Sequence, residues 1–244
     1  MNAVSPFVFM LIPAVISVIG GVVALLWNPS PQARSMIQHF AAGVILAALA
    51  TELLPEIARE HAKPSILIIS FALGSFFMFG MKLLTDYLEK KELSKQREGE
   101  PKGLALGMLV ATFIDIAVDG LIIGAGFASN TETGMILALG LSVEMLFLGL
   151  ALVSDRLKGW KIVAVTAVLG IEILAFAYLG NLLLSNASTM VISAVLACSA
   201  AALLYLVTEE LLIEAHETEE KNYYTLVLFA GFLAFWSIQM LGVK

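Results

Sequence analysis

The sequence predicts an all-α membrane protein with eight transmembrane helices in a single domain that covers residues 1–244. Three observations predict this fold class. Of the 244 residues, 59% are hydrophobic, whereas soluble domains are about 45–50% apolar. The mean hydropathy is +0.92, and the apolar residues are concentrated in runs near the ~20 residues that span a bilayer. Turn-forming residues separate these runs.

Eight apolar segments follow one another along the chain. Residues 28–31 (NPSP) and 129–130 (SN) are examples of the short breaks. The longest break, 89–103, is charged and is expected to be a flexible loop. The first segment has no Lys or Arg before it and is too long for a signal-peptide core, so we expect a retained membrane helix. The segments extend over 4–27, 36–58, 64–88, 104–128, 132–154, 160–184, 188–213 and 222–242.

The basic residues predict the orientation of these helices. Of the 14 Lys and Arg residues, all but Arg59, Lys63 and Lys244 fall at the connections 1–2, 3–4, 5–6 and 7–8. By the positive-inside rule, both termini are then non-cytoplasmic. The expected location is the plasma (inner) membrane, with the lipid bilayer as partner. The net charge of −6 and the absence of a basic patch argue against nucleic acid.

Two segments resemble each other. Residues 42–56 (AGVILAALATELLPE) align without gaps to residues 200–214 (AAALLYLVTEELLIE). The two copies run in opposite directions through the membrane, which predicts an inverted repeat of helices 1–3 and 6–8 around central helices 4 and 5. Chance similarity between Ala- and Leu-rich helices is the alternative.

Carboxylates inside the apolar segments are the main functional signal. Each acid at a helix centre costs about 2.5–3.5 kcal/mol on insertion scales. No Lys or Arg lies in the interior of a segment, and the closest, Lys82, falls toward the end of helix 3. The neutralising charge is therefore expected to be a proton or an external cation. The acids are Glu52, Asp115, Asp119, Glu144, Glu172, Glu209 and Glu210.

The spacing of these acids favours a divalent cation. Asp115 and Asp119 are four residues apart and share one helical face. Glycines in helices 4 and 5 are expected to let these helices approach and bring Glu144 to that face. An oxygen-only cluster suits Mg²⁺, Mn²⁺ or Ca²⁺ and tolerates Fe²⁺ and Zn²⁺. The alternative is protonated acids bonded to neighbours such as Thr112 and Ser142. The four glycines are Gly120, Gly124, Gly140 and Gly149.

Further acids mark an expected ion path. Glu52 and Glu56 lie toward the outer end of helix 2, and Glu209, Glu210 and Glu214 lie toward the cytoplasmic end of helix 7. Files of acids raise the local cation concentration. The alternative is that these glutamates only mark helix ends that face water.

The pattern resembles the ZIP family of divalent metal transporters over nearly the whole chain. Residues 40–56 resemble the family's second helix, with Glu52 at the place of the histidine in its His-Leu-Leu-Pro-Glu sequence. Residues 115–120 resemble the HNxPEG motif of helix 4, with Asp115 at the His and Asp119 at the Glu. Eight helices with both termini outside also fit this resemblance.

Helix 5 shows both the resemblance and its limits. Glu144 takes the place of the histidine of the family's HExPEG motif, while Ile116, Met145 and Leu148 replace ligands of a second metal. Glu172 resembles the family's helix 6 glutamate. The resemblance therefore implies one midplane metal site without histidine, with ligands Asp115, Asp119, Glu144 and Glu172.

The expected function is transport of a divalent metal of the zinc, manganese or iron class into the cytoplasm, with no permanently bound cofactor and a possible homodimer. Two alternatives remain open. One is a proton-coupled carrier of another solute, in which the acids form a proton relay. The other is an intramembrane metalloenzyme. We do not expect the protein to be an enzyme. Catalytic zinc sites usually include histidine, and the interiors of the predicted helices contain no histidine.

Overall fold

The structure, a computed structural model, describes residues 5–27, 29–59, 62–93, 106–152, 157, 159–216 and 223–242. Within these residues, eight helices are long and apolar enough to cross a membrane, which confirms the predicted all-α fold. They are α1 (Pro6–Leu26), α2 (Pro31–Ala48, Leu49–Leu53 and Leu54–Arg59), α3 (Pro64–Leu93), α4 (Leu106–Ser129), α5 (Thr131–Ala151), α6 (Trp160–Leu184), α7 (Thr189–Leu206, Val207–Leu211 and Leu212–Ala215) and α8 (Tyr224–Gly242).

Side-chain caps decide where α2 and α5 begin. The Ser30 hydroxyl accepts the backbone N–H of Ala33 at 3.2 Å, and Pro31 occupies the first position of α2. At the start of α5, the Asn130 side chain accepts the backbone N–H of Thr133 at 2.8 Å. Such caps satisfy N–H groups that lack a partner inside the helix. Capping therefore starts α2 at Pro31, before the apolar run that predicted a start at residue 36.

Helix α3 is longer than the apolar run predicted. It continues to Leu93, with Lys90 and Lys91 in its last turn, where cations interact favourably with the helix dipole. The rest of the predicted loop, 94–103, lies outside the described residues. The orientation of the helices in the membrane stays a prediction. Many of the basic residues counted for it also lie outside the described residues, namely Lys95, Arg97, Lys102, Arg156, Lys158, Lys221 and Lys244.

The helices pack in two groups of four. In the first group, α1 and α4 each pack along α5 and α6. In the second, α2 packs along α8 and α3 along α7, while the contacts between the groups are less extensive. A Cβ on Gly149 would lie 2.8 Å from the backbone of Gly20, and a Cβ on Gly43 would lie 2.0 Å from the carbonyl oxygen of Leu228. Backbones that approach this closely leave room only for glycine.

A short π-helical segment interrupts each of the two helices that carry the predicted repeat. These segments are Leu49–Leu53 in α2 and Val207–Leu211 in α7. They occupy equivalent positions when residue 42 is aligned with residue 200. The packing is also consistent with the predicted repeat. When helices 1–3 are exchanged with helices 6–8, the packed pair α2–α8 becomes the packed pair α7–α3. Helix α4 packs extensively on α6, and α5 packs extensively on α1. The inverted repeat around α4 and α5 stays a prediction.

Large apolar side chains cover much of the outer surface, as expected for a bilayer-embedded protein. Helix α3 exposes Ile68, Leu73 and Phe76, with Phe76 73% exposed. Lipid tails or a second copy of the chain would both cover such a face, so the homodimer stays a prediction.

Candidate functional site

Three predicted acids from three helices line one cavity. Asp115 of α4, Glu144 of α5 and Glu210 of the π-helical segment of α7 surround a space of about 100 Å³. Gln38 and Thr112 are the other polar residues of its wall, and apolar side chains supply the rest. Among the described residues that line it, none is Lys, Arg or His. The cavity lies where the two helix groups meet, since Gln38 and Glu210 belong to one group and the other three polar residues to the second.

The side chains of Asp115 and Glu210 interact across the group boundary. Two neighbouring carboxyl groups repel each other when both are ionised, and a proton or a bound cation between them removes that repulsion.

Asp119 lies one helical turn from Asp115 on the same face of α4, but it is not among the residues that line the cavity, so its role as a ligand beside Asp115 and Glu144 stays a prediction. Its side chain is 3% exposed, and its Oδ2 atom has no hydrogen-bond partner within the described part of the chain. The packing of α4 on α6 holds this residue inside the group, since a Cβ on Gly120 would lie 2.7 Å from the carbonyl oxygen of Ile173. A buried carboxyl oxygen without a partner carries a large desolvation cost.

Glu144 reaches the cavity by a different packing from the one predicted. Gly120 and Gly124 face α6, Gly149 faces Gly20 of α1, and Gly140 approaches Ala48 of α2. The prediction that these four glycines bring α4 and α5 together is therefore wrong. The sequence shows on which face of its helix each glycine lies, but it does not show which helix packs against that face. Glu144 is 8% exposed.

Glu172 is not brought to the cavity. It is buried in α6 at 5% exposure, and neither of its carboxyl oxygens has a hydrogen-bond partner among the described residues. It is absent from the residues that line the space between Asp115, Glu144 and Glu210. Its predicted role as a ligand beside Asp115 and Glu144 remains a prediction that this conformation does not support by contact.

Glu52 and Glu56 at the end of α2 are buried and fully engaged. Glu52 is 4% exposed and accepts hydrogen bonds from Thr133 Oγ1 of α5 at 2.5 Å and from Gln239 Nε2 of α8 at 3.1 Å. Glu56 is 5% exposed and accepts from Ser129 Oγ at 2.6 Å and Asn130 Nδ2 at 2.5 Å. The alternative in which Glu52 points toward a loop or headgroups does not fit this burial. These bonds close the end of the bundle at which α2 ends.

Glu209 has a basic partner, which the sequence did not suggest. Lys82 Nζ of α3 lies 2.7 Å from Glu209 Oε2. The expectation that no membrane acid is neutralised by a basic side chain is wrong for this residue, because α3 packs along α7 and brings Lys82 to it. Adjacent positions thus face different surroundings: Glu209 faces α3 and Glu210 faces the cavity. The side chain of Glu214 lies outside what the structure describes.

Two amides belong to these arrangements and were not predicted. Gln38 lines the cavity, and Gln239 bonds to Glu52. Both lie in predicted apolar segments, where an uncharged polar side chain needs a partner. That requirement is the signal by which the sequence could have identified both glutamines.

The arrangement is not a closed coordination sphere. Among the residues that the structure describes, no group of three or more His, Cys, Asp or Glu side chains is arranged to hold a metal ion. No protein-family model matches the chain, and no curated protein is significantly similar to it. The fold and its buried acids define an integral membrane protein with an acidic cavity between two helix groups.

Proposed function

We propose that the protein carries divalent metal ions across the membrane as a divergent ZIP-like transporter. The observation that supports this most is the cavity itself, where the carboxyl groups of Asp115, Glu144 and Glu210 from three helices converge. Acids within membrane segments are expensive and mark ion or proton pathways. Carboxylates are the ligands that hard and borderline divalent cations accept.

The position of the cavity between the two helix groups also supports the proposal. It is situated between two helix groups that contact each other less extensively than the helices within each group. Relative movement of two such groups around a central site is the basis of alternating access. In this conformation Glu52 and Glu56 are locked at one end of the bundle. A cation that entered the cavity would draw its carboxyl groups toward ligand distances of about 2.0–2.6 Å.

A proton-coupled carrier of another solute is the second candidate. The contact between Asp115 and Glu210 across the group boundary supports it, because neighbouring acids inside a membrane protein also form proton relays. The two functions differ in whether transport requires a metal ion. An enzymatic function has no such supporting observation.

Uptake by purified protein in proteoliposomes tests the proposal, with Zn²⁺, Mn²⁺, Fe²⁺, Co²⁺ and Cd²⁺ offered separately. We expect uptake of at least one ion and a loss of about tenfold or more in Asp119→Asn, since even partners that only orient metal ligands contribute 10–100-fold. Glu132→Gln, an exposed acid in the first turn of α5, is the control. Proton movement without uptake of any of these ions, or unchanged uptake in Asp119→Asn, would contradict the proposal.

A further inference from the structure

Helix α3 presents one continuous stripe of exposed residues to the outside of the bundle. Among the eight membrane helices that the structure describes, α3 is the least buried by the rest of the chain. From residue 69 to residue 87 the stripe advances in alternating steps of four and three residues, which is the spacing of positions d and a in a heptad. The members of this α3 stripe are Ile69, Leu73, Phe76, Gly80, Leu83 and Tyr87, all of them exposed.

The opposite face of α3 is the one that packs into the chain. Met78 is buried, and a Cβ on Gly74 would lie 2.6 Å from the carbonyl oxygen of Cys198 in α7. In the heptad of the α3 stripe, Gly74 falls at position b and Met78 at position f, which face away from the seam of a coiled coil. A partner can therefore lie along the whole α3 stripe without displacing α7.

Gly80 interrupts the α3 stripe near its middle. A Cβ on Gly80 would meet nothing within 4 Å, so the described part of the chain does not require a glycine there, although glycine destabilises a helix relative to alanine. In a parallel pair of α3 helices, the residues that surround Gly80 of one copy come from positions 76, 79, 80 and 83 of the other. The large side chains of Phe76 and Phe79 then fill the space that the glycine leaves, which is the alternation of large and small residues that well-packed helices show.

Charges of opposite sign flank one end of the α3 stripe. Asp86 falls at position g and Lys91 at position e of the next heptad, and residues at these two positions pair between the chains of a parallel coiled coil. Lys91 lies toward the stripe, since its Nζ is 5.8 Å from the ring centroid of Tyr87. Lys82, one turn before Asp86, is engaged by Glu209. Two copies in register would therefore place Asp86 of each chain beside Lys91 of the other.

We propose that the α3 stripe is the interface of a homodimer, in which α3 of a second copy packs against it in parallel and in register. Copies of one chain insert in the same orientation, so a two-fold axis along the membrane normal brings the two α3 helices together in parallel. Left-handed packing at about 20° is common between membrane helices. Lipid tails would cover the stripe without any register, and this difference separates the two covers by experiment. The interface does not depend on the proposed transport function.

Disulfide cross-linking in proteoliposomes tests the register. In a Cys198→Ala background, Ile69→Cys introduces a thiol into the α3 stripe, and the control Ile68→Cys introduces one at the adjacent residue outside it. The two isoleucines are 59% and 69% exposed, so both substitutions are compatible with folding. Because a disulfide requires Cα atoms within about 7 Å, we expect Ile69→Cys to cross-link about tenfold or more faster than Ile68→Cys. Chance collision of lipid-covered monomers gives equal rates, and equal or reversed rates would overturn the proposal.

Charge reversal tests the pairing of Asp86 with Lys91. With Ile69→Cys as the reporter, Asp86→Lys should slow cross-linking about three- to fivefold, because exposed charge pairs have modest effects. Addition of Lys91→Asp to the Asp86→Lys protein should restore the rate, because the facing charges are again of opposite sign. An unchanged rate in Asp86→Lys, or no recovery in the double variant, would refute pairing in this register, whatever the outcome of the uptake measurements.

Discussion

The hydroxyl of Thr133 is predicted to hold one end of the bundle closed. It donates to Glu52 at 2.5 Å and so links α5 of the first helix group to α2 of the second. Thr133 is fully buried at 0% exposure, so Thr133→Val removes the hydroxyl while keeping nearly the same shape. Gln239 also bonds to Glu52, but α8 belongs to the same group as α2 and this bond does not resist separation of the groups.

The magnitude follows from the loss of one hydrogen bond. Such a bond contributes about 1–1.5 kcal/mol net, and 1.4 kcal/mol changes an equilibrium constant by about tenfold. The population in which α2 and α5 separate at this end should therefore rise about five- to tenfold in Thr133→Val. The bonds from Ser129 and Asn130 to Glu56 remain in place, and they limit the effect to a partial opening.

Cysteine labelling measures this population. Ala48 is 2% exposed and faces α5 at the group boundary, where a Cβ on Gly140 would lie 3.1 Å from it. In a Cys198→Ala background, Ala48→Cys should react with a water-soluble maleimide in proportion to the open population, provided that opening is fast relative to labelling. We expect Thr133→Val to accelerate labelling about five- to tenfold.

The control is Thr208→Val, because the Thr208 hydroxyl is exposed and donates to the carbonyl of Leu204 in its own helix at 2.9 Å. That change should leave the labelling rate of Ala48→Cys unaltered. An unchanged rate in Thr133→Val, or an equal acceleration in Thr208→Val, would show that the bond to Glu52 does not control this end of the bundle.

Three further predictions concern the cavity and the packing. Glu210→Gln should lower metal uptake about tenfold or more. Glu209→Gln should change uptake little, because Glu209 pairs with Lys82 in a partly exposed position. Equal losses of uptake in both variants would contradict the assignment of Glu210, and not Glu209, to the cavity. Metal affinity, measured by titration, should fall from pH 8 to pH 5.5, since protons compete for the carboxylates, and a flat profile would refute carboxylate ligation. Gly149→Ala should lower the unfolding temperature, because the new Cβ would lie 2.8 Å from the backbone of Gly20. Gly80→Ala, whose Cβ would meet nothing within 4 Å, should raise the unfolding temperature slightly. Shifts of the same sign in both variants would argue against the α1–α5 contact.

The sequence alone determined the fold class, the number of membrane helices and the presence of buried acids. These are local properties, because apolar runs of about 20 residues have to satisfy their backbone polar groups as helices within a bilayer. The repeat of residues 42–56 in residues 200–214 was equally visible. Its alignment places the two π-helical segments at equivalent positions, although hydropathy contains no signal for a π-helix.

Only the tertiary structure decided which acids meet. Asp115 and Asp119 share a helical face by spacing alone, but only Asp115 lines the cavity, and its meeting with Glu210 there depends on how α7 lies against α4. The same holds for Glu209, which differs from Glu210 by one position and by about 100° of helical rotation and is directed to Lys82 instead. Partners between helices are set by which faces pack together, and periodicity within one segment contains no information about its neighbours.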